Sequence, residues 1–121
     1  MSLRKYRLDK GELIVTEIRD IFIGKKRLHA YVGAVCNAMG SGDRNIRLVA
    51  RGRSIQMAVD VAEVCRRRAG IIAGTLPEML IHDVSISTEQ VERRDGSGTS
   101  NVSCIKIQME GIGEMNNKEE E

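Results

Sequence analysis

Aromatic residues are almost missing from this sequence, which has no tryptophan, one phenylalanine and two tyrosines. Proteins that bind single strands by stacking bases on exposed rings need more of them, so the composition disfavours that class. Long apolar runs are missing too, because no stretch approaches the roughly 18 residues of a transmembrane helix. The charged N-terminus, MSLRKYRLDKGE, does not have the pattern of a signal peptide. We therefore expect a soluble, cytoplasmic protein with no membrane partner.

Cysteine and histidine are too few and too scattered for a disulfide framework or a zinc site. Cys36, Cys65 and Cys104 each lie in apolar sequence, with no CxxC pair, and only His29 and His82 could join them as ligands. The pattern predicts buried thiols in a reducing compartment and structural histidines. We expect neither a metal nor another cofactor.

The net charge of +2 conceals two unlike parts of the chain. Residues 1–70 contain 15 Lys and Arg against 7 Asp and Glu, a net +8, whereas residues 71–121 contain 4 against 10, a net −6. This asymmetry indicates a basic face that meets an anionic partner, with acidic surface elsewhere.

Apolar periodicity predicts the order strand, helix, strand, helix, strand, strand. The predicted elements are strands at 18–23, 46–50, 79–92 and 102–109, and helices at 25–39 and from an N-cap at Ser54 to residue 68. A crossover through the first helix makes the first two strands parallel, with both helices available to cover one face. The sequence therefore predicts an α/β fold, a two-layer sandwich.

The predicted domain covers residues 18–110 and is flanked by two extensions. Residues 1–17 form an N-terminal extension in which Leu13, Ile14 and Val15 either continue the first strand or belong to an arm. Residues 111–121 form an acidic tail with too few apolar residues to pack, and we expect it to be disordered. The stretch 70–77, which contains the only proline, is predicted to be a connection.

Two cationic turns, GKKR at 24–27 and RGRS at 51–54, follow the first two strands and open the two helices. Parallel strands place both turns at one end of the sheet, where helix N-termini attract anions and where cations alone would be unfavourable. Two such clusters imply an anionic partner, and glycine would let the backbone approach a phosphate closely. The candidate phosphate-contacting residues are Lys25, Lys26, Arg27, Arg51 and Arg53, with backbone approach at Gly24 and Gly52.

A polar hairpin adds a second candidate region. The segment RRDGSGTSN at 93–101, with its turn centred on Asp95 and Gly96, could extend along a groove and contribute Arg93, Arg94 and Asn101. Dispersed cations of this kind suit a phosphate backbone better than a deep pocket. The arginines at 66–68 close the second helix, where they complement its dipole.

A small nucleotide-binding or anion-binding enzyme is the alternative from another class. Its motifs are incomplete: Arg19 stands where a Walker loop needs its first glycine, and GSGDRN and GSGTSN miss the last glycine of GxGxxG. No nucleophile or carboxylate is arranged near either histidine in a recognisable catalytic motif. We therefore expect no enzyme activity and no small-molecule substrate.

Three stretches resemble the Alba family of archaeal chromatin and RNA-binding proteins. They are IFIGKK at 21–26, ARGRSIQMAVDVAE at 50–63 and DGSGTSNVSCIKI at 95–107. The resemblance implies a β-α-β-α-β-β fold with a mixed four-stranded sheet, two helices on one face and a protruding hairpin between the third and fourth strands. It also implies a homodimer that binds double-stranded DNA and RNA without strong sequence preference, as a nucleoid-associated chromosome protein.

The same resemblance assigns roles to particular residues. Lys25 and Lys26 would be the central phosphate-contacting lysines, one of them a candidate for acetylation, and the hairpins would extend into flanking minor grooves. Two positions depart from the family: a phenylalanine that helps dimers associate side by side is Ala69 here, and an arginine before the last strand is Asn101. An RNA-first role, as a ribonucleoprotein subunit or RNA chaperone, is the alternative within binding proteins.

Overall fold

The computed structural model describes residues 2–7 and 13–116, with side chains from residue 17 onward. The strands are β1 (Ser2–Arg7), β2 (Leu13–Ile23), β3 (Asn45–Arg51), β4 (Glu78–Glu92) and β5 (Thr99–Ile112). The helices are α1 (Leu28–Gly40), α2 (Ile55–Arg67) and the short α3 (Gly70–Ala73), and a single 3-10 turn at Gly52–Ser54 precedes α2. Apart from the short α3, the predicted order of strands and helices is confirmed for residues 18–110.

The strands form a mixed sheet in the order β1-β2-β3-β5-β4. β2 and β3 are parallel, with Ile23 opposite Ala50, so both strands end at the same end of the sheet. β5 runs antiparallel to β3 and to β4. The α/β two-layer architecture and the mixed four-stranded arrangement of β2 to β5 are therefore confirmed, and β1 adds a fifth strand beside β2.

The core lies between one face of the sheet and helices α1 and α2. On the sheet side, the residues that face the helices alternate along β3 and β5, as the period of two requires: Ile46, Leu48, Ala50, Ile105, Ile107 and Met109. On the opposite face, Val49, Cys104 and Gln108 are buried as well. On the helix side, α1 buries Tyr31, Val32, Val35 and Met39, which recur at helical spacing on one face. In α2, whose apolar residues lie on more than one side, the buried face is Ala58, Val61, Ala62 and Cys65, so Val61 packs inward while Val59 is exposed.

The structure differs from the sequence predictions at both ends of the domain. β2 begins at Leu13, five residues before the predicted start of the domain, so the alternative in which Leu13, Ile14 and Val15 continue the first strand is confirmed; this first half pairs with β1 from Arg7 opposite Leu13 to Ser2 opposite Ile18. The start of the acidic tail also packs: Met115 contacts the core, and Asn116 donates to the carbonyls of Thr75 and Gly74 at 2.8 and 3.0 Å. Residues 117–121, the acidic end of the predicted disordered tail, lie outside the described residues.

The predicted connection at 70–77 contains a helix that the sequence did not predict. α3 is one turn long and carries Ile71 and Ile72, both exposed, beside an apolar pocket of 460 Å³ between α1 and α2. The sequence predicted a loop here because glycine at both ends of this helix and a nearby proline normally indicate one. Within residues 2–7 and 13–116, none of the helices is long and apolar enough to span a bilayer.

Candidate nucleic-acid interface

The two cationic turns lie side by side at one edge of the sheet. Ile23 lies opposite Ala50 in the parallel ladder, so the neighbouring strands β2 and β3 end side by side, next to Gly24 and at Arg51. A hydrogen bond of 3.3 Å from the Ser54 hydroxyl to the Gly24 carbonyl connects them. The structure therefore brings 24–27 and 51–54 together.

A tyrosine hydroxyl holds the first turn, GKKR. Tyr31 comes from the first turn of α1 and is only 6% exposed. Its hydroxyl oxygen accepts hydrogen bonds of 2.8 Å from the backbone N–H groups of both Gly24 and Lys26. One buried side chain therefore holds two backbone N–H groups of the turn. The ordered backbone in turn fixes where the lysine side chains begin.

The second turn, RGRS, owes its shape to glycine. Gly52 has φ +55°, the left-handed region that a residue with Cβ adopts at a cost. Ser54 occupies the N-cap position of α2, but its side chain makes no capping hydrogen bond because its hydroxyl is directed to Gly24. Ser54 is therefore the N-cap residue that the sequence predicted, but its side chain does not cap the helix.

The cations of the two turns differ in what they contact. The exposed side chains are those of Lys25, Lys26, Arg27, Arg51 and Arg53. Within residues 17–116, Arg51 alone among these five has an ion pair, at 2.7 Å from its Nε to Oε1 of Glu89. Neither α1 nor α2 has an acidic residue in its first turn. Four cations therefore face solvent beside two uncompensated helix N-termini.

The β4–β5 hairpin projects past the same edge. Arg51, at the end of β3, pairs with Cys104, so β5 residues before Cys104 continue beyond β3. The hairpin ladder runs on from Thr88 opposite Ser103 to Glu92 opposite Thr99. Asn101 is exposed on this projecting part, and Arg93 and Arg94 are exposed in the loop that closes it.

The closing loop of the hairpin is shifted by one residue from the prediction. The N–H of Gly96 bonds to the carbonyl of Arg93 at 3.1 Å, so the turn is centred on Arg94 and Asp95. Asp95 Oδ1 accepts a 2.9 Å bond from the Ser97 N–H, and hydrogen bonding to the side chain and then to the backbone of Ser97 lowers the pKa of that carboxyl. Positive φ at Gly96 and Gly98 closes the loop afterwards.

The arginines at the end of α2 form a separate group. Arg66 makes a bidentate pair with Glu63 at 2.7 and 2.8 Å, and this hydrogen bonding lowers the pKa of Glu63. Arg67 is 4.0 Å from the same carboxylate. Arg68 takes a left-handed C-cap conformation and donates to the Leu76 carbonyl at 3.5 Å. These contacts favour the structural role that the sequence indicated.

The cysteines and histidines are dispersed through the fold. Cys65 and Cys104 are buried and Cys36 is partly buried, all three as free thiols. Burial raises the pKa of the Cys65 thiol to about 12 and also raises that of Cys36. His82 pairs with Glu110, and His29 is exposed on α1. Among the described residues, no group of three or more His, Cys, Asp or Glu side chains could hold a metal ion.

Two residues of this region escaped the sequence analysis as functional candidates. Tyr31 lies on the apolar face of α1 and has the spacing of a core residue, and only its hydroxyl contacts reveal that it also organises the lysine turn. Glu89 was one carboxylate among several in a predicted strand, with nothing in its spacing to connect it with Arg51, which is 38 positions away. A buried Tyr next to a GKK turn was the one available signal, since buried hydroxyls need a partner.

Comparison with known proteins identifies relatives of one kind. The Alba family profile matches residues 19–74. DNA/RNA-binding protein Alba 1 of Archaeoglobus fulgidus is 42% identical over 87 residues, which cover 72% of this chain and 89% of that protein. DNA/RNA-binding protein Alba of Methanothrix thermoacetophila is 41% identical with the same coverage of both chains.

Solved structures agree with the fold. Alba from Thermoplasma volcanium superposes with a TM-score of 0.64 at 35% identity, covering 76% of this chain and 99% of that one. ALBA1 from Trypanosoma brucei shares the fold alone, at a TM-score of 0.57 and 16% identity over 77% of this chain and 68% of that one. Because its relatives are about 40% identical across most of their length, this chain belongs to the Alba family.

Proposed function

We propose that this protein is a non-catalytic, largely sequence-independent binder of double-stranded DNA that also binds RNA and acts on the chromosome as a nucleoid protein. The observation that carries the proposal is the convergence of two cationic turns and a projecting hairpin at one sheet edge. The curated relatives are named as DNA/RNA-binding proteins, which supports nucleic acid as the partner.

The chemistry of the edge suits phosphate oxygens. Lys25, Lys26 and Arg53 are exposed and have no ion pair among the described residues, so binding a phosphate displaces no existing partner. Arg27 extends the same cluster. The backbone N–H groups at the two helix N-termini add a favourable dipole for an anion. Such contacts read the sugar-phosphate chain and not the bases, which explains weak sequence preference.

The hairpin contributes contacts of another kind. Between 88 and 103 it holds two arginines against three carboxylates, so its net charge is −1. Electrostatic attraction is therefore concentrated in the turns. Arg93, Arg94 and Asn101 would contact a groove through individual hydrogen bonds, with the strands holding the loop away from the domain.

A homodimer is the assembly we propose. Val84 and Ile86 lie opposite the core residues Ile107 and Ile105, so they share the face of the sheet that carries α2, yet they are 54% and 80% exposed. Val59 of α2 is exposed as well. Exposed apolar residues clustered on an edge strand and its neighbouring helix are typical of a surface that a second subunit covers.

Acetylation would tune this surface. Lys25 and Lys26 are both accessible, and acetylation of either would remove one positive charge from the turn. We propose one of these lysines as the regulated position, and the cytoplasm and nucleoid as the place where the protein acts.

The test is the salt dependence of binding to a long random-sequence duplex. Each phosphate contact contributes about 0.9 to the slope of log K against log salt, so Lys25→Ala/Lys26→Ala should reduce the slope by about 1.8 and weaken binding about 60-fold at 0.1 M salt. Arg66→Ala/Arg67→Ala removes the same charge from the end of α2 and serves as the control. An unchanged slope in the lysine variant, or an equal loss in the control, would contradict the proposed surface.

Competition at matched salt addresses the choice between nucleic acids. Duplex DNA and a structured RNA compete for the same turns because both present phosphates. We expect the inhibition constants of the two nucleic acids to be of the same order, with the lower constant for duplex DNA. A structured RNA that displaces DNA at far lower concentration would support the RNA-first role instead.

A further inference from the structure

Arg51 differs from its neighbouring cations because a carboxylate from another strand already holds it. Its Nε lies 2.7 Å from Glu89 Oε1, with side chains 56% and 33% exposed. Arg51 ends β3 and Glu89 belongs to β4, and β5 lies between these strands. The pair therefore crosses β5 at the point where the hairpin leaves the sheet.

The ion pair has little to do with stability. Exposed pairs of this kind contribute little to folding because water screens them and two long side chains must be ordered. The backbone ladder also holds the root of the hairpin, because Cys104 of β5 pairs with both Arg51 of β3 and Ser87 of β4. The main effect of Glu89 is to reduce the positive charge at the RGR turn, because it pairs with Arg51.

We propose that Glu89 is a positioning residue that keeps Arg51 out of the set of phosphate contacts, so that the RGR turn offers one cation, Arg53, instead of two. This inference rests on the proposed function. The carboxylate occupies the Nε–H side of the guanidinium and repels a phosphate that approaches Arg51, because two anions would share one cation. Affinity is thereby held below the value that the sequence of the turn would supply.

The test is a cycle of Glu89→Gln and Arg51→Ala, with salt slopes measured on the same long duplex. Glu89→Gln releases Arg51, so the slope should steepen by about 0.9 and affinity should rise about eight-fold at 0.1 M salt. In the Arg51→Ala background the same change should leave the slope unaltered, because no cation is released. Arg51→Ala alone should change the slope by much less than about 0.9.

Glu92→Gln is the matched control, since it removes the same charge three residues further along β4 from a carboxylate with no ion pair among the described residues. Its slope should equal that of the wild-type protein. An unchanged slope in Glu89→Gln, or the same steepening with Arg51→Ala present, would overturn the inference. If Lys25→Ala/Lys26→Ala still weakens binding in that case, the proposed function stands and only the role of Glu89 is lost.

Discussion

The Tyr31 hydroxyl lies 2.8 Å from the backbone nitrogen of Lys26, the central residue of the cationic turn between β2 and α1. A core side chain therefore reaches the surface and fixes the chain where two lysines are presented. Binding surfaces gain affinity when they are ordered before the partner arrives.

Replacing Tyr31 by Phe tests this connection. The change keeps the ring in the core and leaves two backbone N–H groups without their acceptor, so the free energy of unfolding should fall by about 1–2 kcal/mol. Duplex affinity should fall a few-fold with an unchanged salt slope, because no cation is removed. Urea denaturation and binding titrations would measure both; a reduced slope would mean that the hydroxyl does more than order the turn.

The two glycines of the turns should respond differently to alanine. Gly52 has φ +55°, so Gly52→Ala should lower stability by about 1 kcal/mol. At Gly24 a Cβ would meet the Tyr31 hydroxyl at an ordinary 3.6 Å, so Gly24→Ala should fold normally. If the backbone at Gly24 approaches a phosphate, the added methyl group should still weaken duplex binding several-fold. Unchanged binding would remove Gly24 from the interface.

Dimerisation should depend on the exposed apolar residues of β4. Ile86→Glu places a charge on the proposed contact, so light scattering should report a mass near 13.4 kDa instead of twice that value. Ile71→Glu is the control, because Ile71 is 92% exposed on α3, outside the proposed contact. A wild-type protein that is already monomeric at micromolar concentration, or a control that dissociates equally, would contradict this arrangement.

Cys65 should make the fold sensitive to alkaline pH. Its pKa rises from an ordinary 9.0 to about 12 on burial, so the folded protein binds the thiol proton more tightly than the unfolded chain does. The resulting stability is complete below pH 9 and is lost as pH rises toward 12, by about 1.4 kcal/mol at pH 10. Denaturation of the wild-type protein and Cys65→Ala at pH 8 and pH 10 should show this difference; equal pH dependence in both would refute it.

Much of the fold followed from periodicity. The apolar stripe of α1 has one helical period and one buried face, so the sequence predicted this helix together with its core side. β3 and β5 were predicted only as strands, and their core side could not be chosen because Val49, Cys104 and Gln108 on the opposite face are buried as well. α2 was harder, since its apolar residues cover more than one side. The choice between Val59 and Val61 depends on how the helix sits on β3, β4 and β5, which its own sequence does not specify.

The sequence predicted which cations belong to the candidate site, but it did not predict the contacts that these residues make. Position in the chain sufficed to place Lys25, Lys26 and Arg53 at one edge, because parallel strands end together. The hydrogen bond from Ser54 to Gly24 and the ion pair between Arg51 and Glu89 join residues distant in sequence, whereas the bonds to the Tyr31 hydroxyl are local in sequence and depend on how α1 packs. Such partners are decided by tertiary packing, and no local pattern encodes them.

The length of the free hairpin sets a scale for the ligand. Five ladder pairs, from Thr88 with Ser103 to Glu92 with Thr99, lie beyond the last residue of β3. At about 3.4 Å per residue these strands span about 17 Å, the rise of about five base pairs. A duplex that ends at the two turns would leave this whole span empty. If the hairpin follows the duplex as proposed, the shortest DNA that gives full affinity should exceed the footprint of the turns by about five base pairs for each hairpin.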